Sequence, residues 1–138
     1  MGGISNIKKV SMKMISLYST WWVKPGNEKA ITVALNKLAK EVRENEKGTL
    51  MYLVHTPVYD YPKAIKGKKS IKSAPEARPG TIIFVEKYEN WDAFQVHLYG
   101  PYFTTFVKEY KSMFVLNHDE EPFVEVVFME EIVGVIKQ

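Results

Sequence analysis

The chain has 138 residues, 46% of them hydrophobic, and a formal net charge of +3. That length suits one domain with a core of its own, and that hydrophobic fraction excludes a disordered chain. No apolar run approaches the roughly 18 residues a membrane span needs, and a chain with no cysteine has no disulfide, thiol catalysis or thiolate metal site. The polar, basic opening over residues 1–13 lacks the apolar stretch of a secretory signal. With no thiols to oxidise, a cytoplasmic protein is expected. Positive charge is concentrated in two places. Residues 1–13 hold Lys8, Lys9 and Lys13 without an acid, and residues 56–79 hold six basic side chains against Asp60 and Glu76. The remainder of the chain is net acidic. Residues 1–13 therefore read as a flexible basic tail ahead of one domain over 14–138.

In chain order, residues 14–23 (MISLYSTWWV) are β-branched and aromatic and stop at Lys24-Pro25-Gly26, a strand closed by a turn. Ala30, Ile31, Ala34, Leu35, Leu38, Ala39 and Val42 then draw one apolar stripe at helical spacing. Asn27 is suited to cap that helix, and Gly48 to the left-handed turn that ends it. Residues 49–55 read as a second strand. Residues 56–80, with four prolines and little periodicity, read as a long basic loop, either a lid that excludes water or an insertion with no role. A third strand spans 81–89. Asn90 can cap a short helix carrying Trp91, Phe94 and Leu98, which Gly100-Pro101 separates from a further helix. That helix shows Phe103, Phe106, Val107, Tyr110 and Phe114 on one side. Residues 122–136 read as the last strand. The order βαββαβ is the ferredoxin-like α+β arrangement with an antiparallel sheet.

Both faces of the first and last strands are apolar. Val124, Val126 and Phe128 oppose Phe123, Val127 and Met129, and Leu17 and Trp21 oppose Tyr18 and Trp22. Two helices cover one face of a four-stranded sheet, so a second copy packed sheet against sheet is expected over the other.

Three stretches carry a resemblance. One is Val23-Lys24-Pro25-Gly26 ahead of the amphipathic helix. Another is Gly48-Thr49-Leu50-Met51-Tyr52, a helix-ending glycine followed by a strand tyrosine. The most specific is FVEKYENWDAFQVHLYGPYF, residues 84–103: a glutamate, an aromatic, then a short helix ending in His-Leu before a proline-containing turn. In this order and spacing they resemble the antibiotic biosynthesis monooxygenase family over residues 14–132, apart from the long loop. The resemblance implies a dimeric α+β barrel. It also implies an enzyme that oxidises electron-rich multi-ring phenols, anthrones or quinols with molecular oxygen, using neither metal nor flavin. No cofactor is then expected. The implied partners are a small aromatic substrate, oxygen and a second copy of the chain, with no membrane and no nucleic acid. A nucleic-acid module is disfavoured by the acidic balance of the core and by the missing aromatic-glycine signature. The competing reading is a small-molecule binding or sensing protein on the same fold, without turnover.

The catalytic candidates are His97, Glu86 and Tyr88. His97 matches the histidine of the family motif and could accept a phenolic proton; the plainer alternative is a histidine that only holds the fold. Glu86 and Tyr88 alternate along one strand and share a side. Glu86 could orient His97 or make a structural hydrogen bond, and Tyr88 stands where many relatives carry a tryptophan. The substrate-binding candidates are Ser19, Trp21, Tyr52, Phe103, Phe106 and Tyr110, with the aromatics read as core of which one or two line a cavity. His55, His97 and His118 lie on different elements, and no metal site is expected from them. One branch of the family degrades haem. Its three key positions correspond here to Ser19, Tyr88 and about Val107, all of them different, so that activity is disfavoured.

Overall fold

A computed structural model of the chain describes residues 13–58, 67–68 and 79–137. The basic tail and most of the long loop lie outside these residues. Strand β1 is Ile15–Trp22, helix α1 Glu28–Asn45, β2 Thr49–His55, β3 Thr81–Tyr88, α2 Trp91–Tyr99, α3 Pro101–Tyr110 and β4 Val124–Met129. The sheet order is β2-β3-β1-β4, and every neighbouring pair is antiparallel. This is the ferredoxin-like α+β fold anticipated from the element order.

The register decides which residues meet. Leu17, Ser19 and Trp21 of β1 stand opposite Glu86, Phe84 and Ile82 of β3 and opposite Phe128, Val126 and Val124 of β4. Because directly paired residues share a face, this set looks toward the helices. Ile31, Ala34, Leu35, Leu38 and Val42 of α1 are buried against it, and Trp21, Phe84, Phe106 and Phe114 complete the main core. A bulge at Leu50 interrupts the pairing of β2 with β3. The extra residue resets the period-two alternation, so Thr49 opposite Tyr88 and Tyr52 opposite Glu86 both face the helices.

Three local expectations change. Asn27 precedes α1 but makes no side-chain cap; its Nδ2 donates to the Lys24 carbonyl at 3.2 Å. That bond ties down the Lys24-Pro25-Gly26 turn, in which Gly26 takes φ +90°. Gly48 is not in a left-handed conformation; among the described residues Gly26 and Gly80 are the glycines with positive φ. Its bare Cα answers a close approach instead, since a Cβ there would lie 2.5 Å from the Ala93 Cβ of α2. The last strand ends at Met129, short of residue 136. The apolar side chains beyond it, Ile132, Val133, Val135 and Ile136, are at least 79% exposed, and none of the described residues pairs with them. The cap at Asn90 is as expected, its side chain accepting from the Ala93 amide at 2.8 Å.

A methyl group at Gly48 has to displace a helix, so Gly48→Ala is expected to destabilise the fold by about 1–3 kcal/mol. Thermal unfolding of Gly48→Ala beside the Gly48→Ala/Ala93→Gly double variant checks this. The double variant should recover most of the loss, and an undisturbed melting temperature in the single variant would show that the contact does not matter.

Candidate active site

One cavity of about 300 Å3 lies between the sheet and helices α2 and α3. Its sheet side is the alternating set Leu17, Ser19 and Trp21 with Phe84, Glu86 and Tyr52, closed at the β4 edge by Val124 and Val126. Phe94, His97 and Leu98 of α2 and Phe103 and Val107 of α3 supply the helical side. The polar groups among these walls are few, and Ser19, Glu86 and His97 are each positioned by a hydrogen bond.

Ser19 is buried, and its Oγ accepts a hydrogen bond from Trp21 Nε1 at 3.1 Å. The two side chains project from the same face of β1, two residues apart, so the contact is local. The serine hydroxyl keeps its own proton to donate. Trp21 is held edge-on against Phe103 and Phe114, with ring centroids 6.1 and 5.1 Å away.

His97, 2% exposed, sits in the last turn of α2. Its ring lies 4.9 Å, centroid to centroid, from both Tyr52 and Phe103. Nδ1 is 2.8 Å from Glu46 Oε1. Glu46 follows α1 with an extended backbone, and its amide still donates to the Val42 carbonyl at 2.9 Å. The same Oε1 accepts from Thr49 Oγ1 at 3.1 Å, while Oε2 is buried without a partner among the described residues. On the other edge of the imidazole, Nε2 is 3.9 Å from Glu86 Oε1, which in turn accepts a hydrogen bond from the Tyr88 hydroxyl. Tyr88, Glu86, His97, Glu46 and Thr49 thus form a buried polar row that crosses from β3 through α2 to the end of α1 and the start of β2.

Burial raises the Glu86 carboxyl above its ordinary value, and the nearby Glu46 adds to this, against the opposing effects of the Tyr88 hydrogen bond and His97. Tyr52 and Tyr88 are both raised, by burial first and then by the neighbouring carboxylates. Their hydroxyls therefore remain donors at ordinary pH.

The expected residues divide cleanly. Ser19, Trp21, Tyr52, Glu86, His97 and Phe103 line the cavity together. Tyr88 stands behind Glu86, fully buried, and touches the cavity only through that carboxyl. Phe106 and Tyr110 do not reach it: they pack on each other at 5.5 Å, on the part of α3 that turns to α1. The carboxylate that bonds His97 is Glu46, not Glu86. Glu46 was not singled out in the sequence, although an acid just past a helix C-terminus sits against the helix dipole and so signals a partner elsewhere. Among the described residues no group of three His, Asp or Glu side chains could hold a metal ion, and no helix is long and apolar enough to cross a membrane.

A family model described as antibiotic biosynthesis monooxygenase matches residues 14–109. The chain belongs to that family. Solved structures support the fold of this family member. A crystal structure of an antibiotic biosynthesis monooxygenase aligns with a TM-score of 0.62 at 17% identity, over 86% of this chain and 99% of that one. PA3566 from Pseudomonas aeruginosa aligns at 0.63 and 16% identity, over 89% and 98%. Rv0793 from Mycobacterium tuberculosis aligns at 0.62 and 13% identity, over 90% and 100%. No curated protein matches the chain in sequence.

The raised carboxyl gives a stability signature for this monooxygenase-family cavity. The folded chain keeps the Glu86 proton over a pH range in which the unfolded chain has lost it. Stability therefore falls as pH climbs from the ordinary carboxylate value to the raised one, and levels off above that. Glu86→Gln removes the ionisation and keeps an oxygen for Tyr88. Its melting temperature relative to the parent chain is expected to rise steadily between about pH 4 and the plateau. A difference that does not change with pH would rule out a proton held by Glu86.

Proposed function

We propose that this chain is a cofactor-independent monooxygenase that oxidises a quinol or polycyclic phenol with molecular oxygen. The observation that carries this reading is a cavity of about 300 Å3, walled almost wholly by apolar side chains, with a buried imidazole in its lining. Such a volume is at the small end of the range for sites that enclose an organic ligand, about 300–1,000 Å3.

The chemistry asks for a base, orientation and dryness. A phenolic hydroxyl that passes its proton to Nε2 of His97 leaves an electron-rich phenolate. The phenolate gives one electron to oxygen, and the resulting superoxide and substrate radical combine at a ring carbon. His97 returns its proton to the peroxide so formed. Where that carbon began as the methylene of an anthrone, loss of water then leaves a carbonyl. One oxygen atom stays on the substrate, and the other departs as water with two of the substrate's hydrogens. Trp21, Phe84, Phe94 and Phe103 hold the rings, and their apolar surface keeps out the solvent that would quench the radical pair.

The test is oxygen uptake with chemically reduced naphthoquinones and hydroxylated anthrones, measured above autoxidation. The parent chain is expected to accelerate uptake and His97→Ala to lose it by at least about a hundredfold. A folded parent chain with no uptake would favour the non-catalytic binding protein on the same fold. Uptake that survives in the variant would take the base role away from His97.

The reading includes a homodimer. On the sheet face away from the helices, Tyr18, Leu53, Val127 and Met129 are 39–47% exposed, and they are flanked by Ile83 and Val85 in register. This is the surface a second copy would cover. Sedimentation at micromolar concentration should report a dimer, and Val127→Glu should shift it to monomer because an ionised carboxylate would have to be buried. A monomeric parent chain would refute the assembly.

A further inference from the structure

Glu46 is the one member of the buried row that no family motif pointed to, and it is placed where it can govern the others. Its side chain is 4% exposed, and His97 is 3% exposed at the level of its side chain. Glu46 does not line the cavity, whereas Glu86, on the opposite edge of the imidazole, does. The ring therefore turns Nδ1 to the protein interior and Nε2 to the cavity side. An ionised carboxylate has no proton to give, so a 2.8 Å contact with Glu46 Oε1 requires the hydrogen to sit on Nδ1. In a neutral ring that leaves Nε2 bare. With Oε2 unpartnered among the described residues, Oε1 carries the contacts of this carboxylate seen there, and its second partner, Thr49 Oγ1, fixes it in place.

We propose that Glu46 is a positioning residue: it holds His97 as the Nδ1–H tautomer and so presents a bare Nε2 as the acceptor for a ligand's hydroxyl. This rests on the reading of the cavity as a site for hydroxylated aromatics. The groups that face the imidazole are Glu46 after α1, Thr49 behind it, Glu86 and Tyr88 from β3, and Tyr52 from β2. Of these, Tyr88 is committed to Glu86, and Glu86 is too far from Nε2 for a hydrogen bond. Glu46 is then the partner that selects the tautomer, as the bond made by one ring nitrogen sets the state of the other.

The direct test is 15N NMR of the His97 ring in the full chain through a pH series, which reports the tautomer of the neutral ring. The expected spectrum has a protonated Nδ1 and a bare Nε2. Glu46→Met, which removes the acceptor at similar volume, should make the Nδ1–H form a minority. Glu46→Gln keeps a weaker acceptor, is the safer variant to fold, and should give a mixture of both forms. Binding of 1-naphthol, followed by its fluorescence, should weaken about tenfold in Glu46→Met, the equivalent of about one hydrogen bond. An Nε2–H tautomer in the parent chain, or an unchanged tautomer in Glu46→Met, overturns the inference. Neither result depends on turnover. Absent oxygen uptake with the expected ring spectrum would instead count against the monooxygenase reading alone.

Discussion

Helix α2 meets the turn between α1 and β2 at two points one helical turn apart, and the site depends on both. Ala93 rests on the bare Cα of Gly48, and His97 reaches Glu46. Residues at i and i+4 lie on one face of a helix, so a single face of α2 makes both contacts. The Glu89 amide, bonded to the Gly48 carbonyl at 2.8 Å, brings the chain into α2 at this same corner. Steric fit sets the depth of the helix, and the carboxylate sets its rotation. Only with both fixed does the imidazole edge come level with Glu86 and the cavity.

The buried polar row is a costly way to build a core. Carboxylates and an imidazole lose their water, and the attraction between them recovers that loss only with good geometry. Removing one partner from a buried hydrogen bond leaves the other without compensation, an effect of about 1–3 kcal/mol. Around this row the fold supplies what it needs elsewhere: the stripe of α1, the packed rings of Trp21, Phe84, Phe106 and Phe114, and an uninterrupted pairing of β1 with β3. A second row of apolar side chains in the same position would hold the helices together as well. It would leave the cavity without an imidazole in its wall.

What could be read in the sequence was what neighbouring residues decide among themselves. Strand alternation placed Ser19 with Trp21 and Glu86 with Tyr88, helical spacing marked the buried face of α1, and the Asn90 cap is a three-residue affair. Glu46 escaped because its partner is 51 residues away and because acids near a helix end ordinarily face water. Gly48 was noticed for its backbone freedom, but its reason is a contact with a helix far along the chain. The aromatic stripe of α3 showed periodicity without direction: Phe103 turns to the cavity, whereas Phe106 and Tyr110 turn to α1. The β-branched run after Met129 looks like strand, but an extended segment becomes one only when something pairs with it.

The cavity has unequal walls. On β1 and β3 its residues are also the centre of the core, so a change there disturbs folding. On β4, an edge strand, Val126 lines the cavity while 46% exposed, and the stability of the fold rests little on it. Shape can therefore drift at this border while the imidazole and its two carboxylates stay as they are. A lineage built on this scaffold is free to reshape the cavity by small steps along a single strand, without rebuilding the buried polar row at its other end.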